Sequence, residues 1–185
     1  MARYAAFLRG MNVGGHRLTN DELRSHFRAM GFAEVTTFRA SGNVMFADER
    51  PDDGAADPEL LAGRIEERLA GALGYAVPTF IRSYAEVRAI AAHAPFAPER
   101  VACSTGKLQV SLLGSSPAPA LREAVLSLAS DEDPLAFGER ELYWLPSGGM
   151  LDSALDLGAI EKLLGASTRR TKNTLEQIAS RHCAD

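Results

Sequence analysis

The chain has 185 residues, 46% hydrophobic and 24% charged, with a formal net charge of −4. That length suits one compact domain or two small ones, and the composition is that of a chain able to bury a core. An acidic balance excludes a protein that coats nucleic acid over its whole surface, a mode that needs a basic excess. The charge is unevenly spread, however. Residues 1–47 hold six arginines against three acids, TRRTKNT at 168–174 adds three cations and no acid, and the acids concentrate in segments such as DERPDDGAADPE and SDEDP.

In chain order, RYAAFLRG at 3–10 reads as a short buried strand ended by glycine. LTNDELRSHFRAMG follows as a helix: Thr19 and Glu22 have capping-box spacing, Leu23, Phe27 and Met30 recur at helical intervals, and Gly31 supplies a stop. EVTTFRA and NVMFA are two strands joined by a tight turn through Ser41, Gly42 and Asn43. After an acidic linker at 48–56, Asp57 caps a helix with Pro58 in its first turn that runs to Leu73, and VPTFIRS is the next strand. The order β-α-β-β-α-β is the split unit of ferredoxin-like folds.

Ser83 and Glu86 form a second capping box that opens a connecting helix to His93, and residues 94–106 read as a loop with two prolines. KLQVSLLG is then a strand, PALREAVLSLAS a helix, PLAFGER with ELYWLP a hairpin anchored by Trp144, and ALDLGAIEKLLG a helix. A final helix from Asn173, capped by that residue with Glu176, stands where a last strand would complete the pattern. The expected architecture is α+β, two ferredoxin-like subdomains arising by duplication, over residues 1–83 and 84–185.

Three segments could carry chemistry. The first is AFLRGMNVGGHR at 6–17, where Gly10 and Gly15 bracket four residues after a strand, as in a Walker loop. His16 and Arg17 stand where that motif needs lysine and a hydroxyl, and the glycines do not fit the dinucleotide spacing. A general mechanism survives: backbone N–H groups pointing into one concavity, with Arg9 and Arg17 supplying charge. The alternative is glycines that serve only positive φ. The second segment, RASGNVMF at 39–46, has basic, glycine and aromatic positions like those of RNA-recognition sheets. Ser41 and Asn43 stand where stacking rings belong, leaving Phe7 alone. The third is TRRTKNT, whose cations precede a helix start, either as an anion site or as a solvated cap.

Cys103 and Cys183 lie far apart with no metal-ligand spacing, so neither zinc nor a disulfide framework is expected. No apolar run approaches the roughly 18 residues of a membrane-spanning helix, and no secretory leader pattern opens the sequence. The expected setting is cytoplasmic, away from membranes. No cofactor, nucleophile or base is identified; of the four histidines only His16 lies in a suspected site, with no visible partner.

The motifs Leu8-Arg9-Gly10-Met11-Asn12-Val13-Gly14-Gly15, Glu22-Leu23, Ser41-Gly42-Asn43-Val44 with Phe46, and the later Arg170, Asn173 and Thr174 resemble a bacterial family known as domain of unknown function 1697. The resemblance covers nearly the whole length. It departs near the end, where Thr171 and Lys172 replace the family's Asn and Trp. It implies an α+β fold of two ferredoxin-like subdomains and no activity, and it groups the three segments into one recurrent pattern.

The expected function is binding of a small phosphorylated or carboxylated ligand, a nucleotide included. Arg9, Asn12, Gly14, Gly15 and Arg17 would form the main wall, with Ser41, Asn43, Arg170, Asn173 and Thr174 as additions. The alternatives are a structural or protein-interaction module in which those residues join the subdomains, and an RNA-binding module.

Overall fold

A computed structural model describes residues 1–11, 18–39, 42–49, 57–150 and 152–183 of the chain. Asn12, Gly14, Gly15, His16, Arg17, Ser41 and most of the acidic linker lie outside the described residues. The described residues form an α+β protein with two four-stranded antiparallel sheets and seven helices. The chain divides into a first unit, residues 1–87 with the last few from His182, and a second unit, Arg88–Arg181.

The first unit contains β1 (Ala2–Leu8), α1 (Asn20–Ala29), β2 (Ala33–Thr37), β3 (Asn43–Asp48), α2 (Pro58–Leu73) and β4 (Thr79–Ser83). Its strands lie in the order β2-β3-β1-β4. The register pairs Tyr4 with Phe46 and Ala6 with Val44, so these residues share one face with Leu8 and Ile81. The helices close that face with side chains four apart, Leu23 and Phe27 from α1 and Leu61, Ile65 and Leu69 from α2. Phe27, Phe32 and Phe46 meet with centroids 4.4–5.9 Å apart, and the Arg64 guanidinium lies 4.8 Å from the Phe32 ring. The run YAAFL is continuously apolar rather than alternating because both faces of β1 are buried.

The hairpin β2–β3 is less regular than its sequence suggests. Pairing jumps from Ala33–Ala47 to Thr36–Met45, and the extra residue is absorbed at Glu34, whose φ is +50°. Arg3 clamps the displaced Glu34 carboxylate with two hydrogen bonds of 3.0 and 3.2 Å. β2 stops at Thr37, three residues short of the expected end.

The second unit contains α4 (Pro98–Cys103), β5 (Gln109–Leu113), α5 (Pro119–Leu126), β6 (Leu135–Phe137), β7 (Glu141–Trp144), α6 (Leu157–Leu164) and β8 (Ser167–Thr171). It also takes most of α3 (Tyr84–Ala92) and α7 (Lys172–His182). Its strand order, β6-β7-β5-β8, matches the first sheet place for place. Trp144 anchors a core of Val125, Leu135, Leu142 and Ile160. Its indole N–H donates to Asp133 Oδ1 at 2.8 Å, and that buried carboxylate oxygen also accepts from Ser153 at 2.7 Å.

Two expectations are corrected. Residues 94–106 are not all loop, because Pro98 starts the short helix α4. A last strand does exist: β8 pairs with β5 from Gln109–Thr171 to Leu113–Ser167. STRRT has no apolar residue, so only the pairing makes it a strand. The helix after it begins at Lys172, and Thr171 rather than Asn173 is the cap, its hydroxyl accepting the Thr174 N–H at 3.2 Å.

The Thr19–Glu22 box forms in full. The backbone N–H of Thr19 and then its hydroxyl hold the Glu22 carboxyl below its ordinary value. A depressed carboxyl stabilises the fold above its unfolded pKa and loses that contribution as pH falls through the lower folded value. Urea unfolding at a series of pH values is expected to show wild type more stable than Glu22→Ala at neutral pH, with the difference vanishing on acidification below about pH 4.

Candidate functional site

In the first unit the end of β1 and Gly42 meet at one end of the sheet. The Leu8 N–H donates to Gly42 O at 2.8 Å, and the Arg9 N–H donates to Pro78 O at 2.8 Å, which fixes the backbone where Arg9 leaves β1. Gly42 has φ +68°, and a Cβ there would stand 3.0 Å from the Leu8 Cβ, so the close approach needs glycine. Asn43 is 1% exposed, and its amide donates to Phe38 O at 3.0 Å, tying the two strands below the turn. Arg39 sits at φ +57° with its guanidinium 5.4 Å from the Phe38 ring, and the His182 imidazole meets the same ring edge-on at 5.9 Å. Of the expected wall only Arg9 lies among the described residues, and Asn43, an expected addition, pairs across the sheet with Phe7, two residues before it.

Arg170, Asn173 and Thr174 belong to the second unit. Arg170 lies on β8, donating to the Thr168 hydroxyl and to Arg169 O at 2.8 Å each. Burial pushes its guanidinium down to about 10, which leaves it charged at neutral pH. The neighbouring Arg169 is also lowered by burial; it lies 5.2 Å from the Trp144 ring and donates to Ser111 at 3.3 Å. Thr174 is buried and shares a 2.9 Å hydroxyl contact with Thr171. Asn173 is exposed on the first turn of α7, its carbonyl oxygen accepting from Gln177 at 3.1 Å.

Asn173 also lines a cleft of about 580 Å³, in which the TRRTKNT segment faces residues 93–108, a stretch the sequence does not single out. One wall is the segment after α3, with Phe96, Pro98 and Val101; the other is the start of α7, with Lys172 and Glu176. Lys172 joins the walls. Its buried ammonium donates to Ala91 O, near the end of α3, at 2.7 Å and meets Glu176 at 3.2 Å, while its backbone N–H donates to Leu108 O at 2.8 Å. Lys107 stands beside Leu108 at the rim. Its loop is docked by Thr105, whose N–H and hydroxyl both donate to Ser147 O, at 3.2 and 2.9 Å. Among the described residues no three His, Cys, Asp or Glu side chains gather to hold a metal ion, and no helix is long and apolar enough to cross a membrane.

Sheet topology and helix placement define an α+β protein carrying a basic loop in one unit and an apolar cleft in the other. The chain belongs to the family described as protein of unknown function DUF1697, whose pattern matches residues 1–143. No curated protein matches it significantly. Among solved structures, a conserved bacterial protein, SP0830 from Streptococcus pneumoniae, is similar at a TM-score of 0.71 and 19% identity, over 97% of each chain, which is a likeness of fold.

Two substitutions test how the cleft is built. Lys172→Met leaves Ala91 O without its donor and is expected to cost about 1–3 kcal/mol in urea unfolding. Gly106→Ala drives a methyl group into the carbonyl oxygens of Pro146 and Gly148, neither of which can swing aside. A loss of about 1–3 kcal/mol, read as a lowered urea midpoint at unchanged slope, is the expected result.

Proposed function

We propose that the protein binds a small phosphorylated or carboxylated ligand, nucleotides included, at the end of the first sheet where Arg9 leaves β1. The observation that carries this reading is the Leu8–Gly42 hydrogen bond, which brings two of the three recurrent segments together. Arg9, Asn12, Gly14, Gly15 and Arg17 are its wall, with Ser41 an addition. Arginine grips an oxyanion through a fork of donors, and small residues let backbone N–H groups approach it. Asn43 acts by holding the turn, since its amide is committed to Phe38 O. Arg170 and Thr174 have hydrogen-bonding roles within the second unit.

A second reading is favoured by Gly42, whose close approach to Leu8 is reason enough for a glycine. In that case the Ser-Gly-Asn segment is structural and the protein an interaction module. An RNA-binding sheet of the stacking kind would need Phe7 in the open, and Phe7 is fully buried.

The architecture is read as two ferredoxin-like copies, residues 1–83 and 84–185. Support comes from the matching strand orders and from a shared junction. In each copy the fourth strand runs straight into a helix capped by the strand's last hydroxyl, Ser83 to the Glu86 N–H and Thr171 to the Thr174 N–H, both at 3.2 Å. A cytoplasmic setting suits the two free cysteines, one exposed and one buried.

Calorimetric titration with inorganic phosphate and with ATP separates the readings. Arg9→Ala is expected to weaken binding about tenfold or more while leaving the melting temperature unchanged. Undetectable binding in both proteins overturns the proposal. A melting temperature lowered by several degrees with unaltered binding favours the structural role.

A further inference from the structure

We propose that the cleft of the second unit is a separate binding site for a small monocarboxylic acid with an apolar body. Its volume of about 580 Å³ lies within the roughly 300–1,000 Å³ typical of small-molecule sites. The wall formed by Pro95, Phe96, Pro98 and Val101 offers hydrocarbon surface, and Val101 is 37% exposed, so apolar area remains to be covered by a ligand.

The polar groups are sorted by sign. Three lining side chains keep donors that no described residue uses: the Lys107 ammonium, the Asn173 amide N–H₂ and the His93 imidazole, whose ring packs 4.9 Å from that of Tyr143. The single lining carboxylate, Glu176, is already met by Lys172. Two lysines against one glutamate leave one positive charge, the complement of a monoanion rather than of a phosphate dianion. Lys107 and Asn173 flank the backbone bond from Lys172 N to Leu108 O, so the carboxylate end of the ligand sits there and the hydrocarbon runs toward Phe96.

Octanoate and its neutral counterpart 1-octanol, each titrated calorimetrically and by amide chemical shifts, test the assignment. Wild type is expected to prefer octanoate about tenfold. Lys107→Gln, at an exposed position, should bring octanoate down to the level of octanol and leave octanol unchanged. Val101→Asp should abolish both, and Arg9→Ala should alter neither, which keeps this site distinct from the one on the first sheet. Equal binding of the two compounds to wild type, a preference that survives Lys107→Gln, or no binding of either overturns the proposal.

Discussion

The second unit depends on where one ammonium group is put. Helix α3 ends with carbonyl groups that no further turn can satisfy, and a helix end left that way in a partly buried place is costly. Lys172, at the first position of α7, supplies the donor to Ala91 O from 81 residues away and takes Glu176 as its counter-charge. A buried lysine is tolerable because both partners are present, and removing either would leave part of the ammonium's desolvation cost uncompensated. One side chain thus serves the terminus of α3 and ties it to the start of α7 across the cleft.

Much of the framework is written in short-range chemistry. The Thr19–Glu22 and Ser83–Glu86 boxes, Pro58 behind Asp57 and Gly74 after Leu73 each act within a few residues, so they can be read without tertiary knowledge. β8 is the opposite case. Ser-Thr-Arg-Arg-Thr carries no apolar alternation, and its extended form is imposed by β5, more than 50 residues earlier. The bulge at Glu34 is similarly non-local, since the charge that holds it belongs to Arg3. α4 left one local sign, Pro98 at its start, in a run short enough to pass for a loop.

The two candidate sites differ in the same way. Arg9, Gly42 and Asn43 belong to compact motifs that stand out in the sequence, and the sheet register brings those motifs to one end: Phe7 and Asn43 are direct cross-strand neighbours. The cleft is assembled from residues 93–108, which carry no motif, and residues 171–176, which overlap the TRRTKNT segment. His93, Phe96 and Lys107 acquire meaning only when the end of α3 is brought to the start of α7. Asn173 and Val101 line the same cleft although 72 positions separate them in the chain.

The joint between β8 and α7 contains no loop residue at all: Thr171 ends the strand and Lys172 begins the helix. Such a joint has no slack, and the same Thr171 that pairs across to Gln109 also caps the helix. The first turn of α7 and the edge of the sheet therefore behave as one lever. A displacement of Asn173 has no loop to absorb it before it reaches the ladder between β5 and β8.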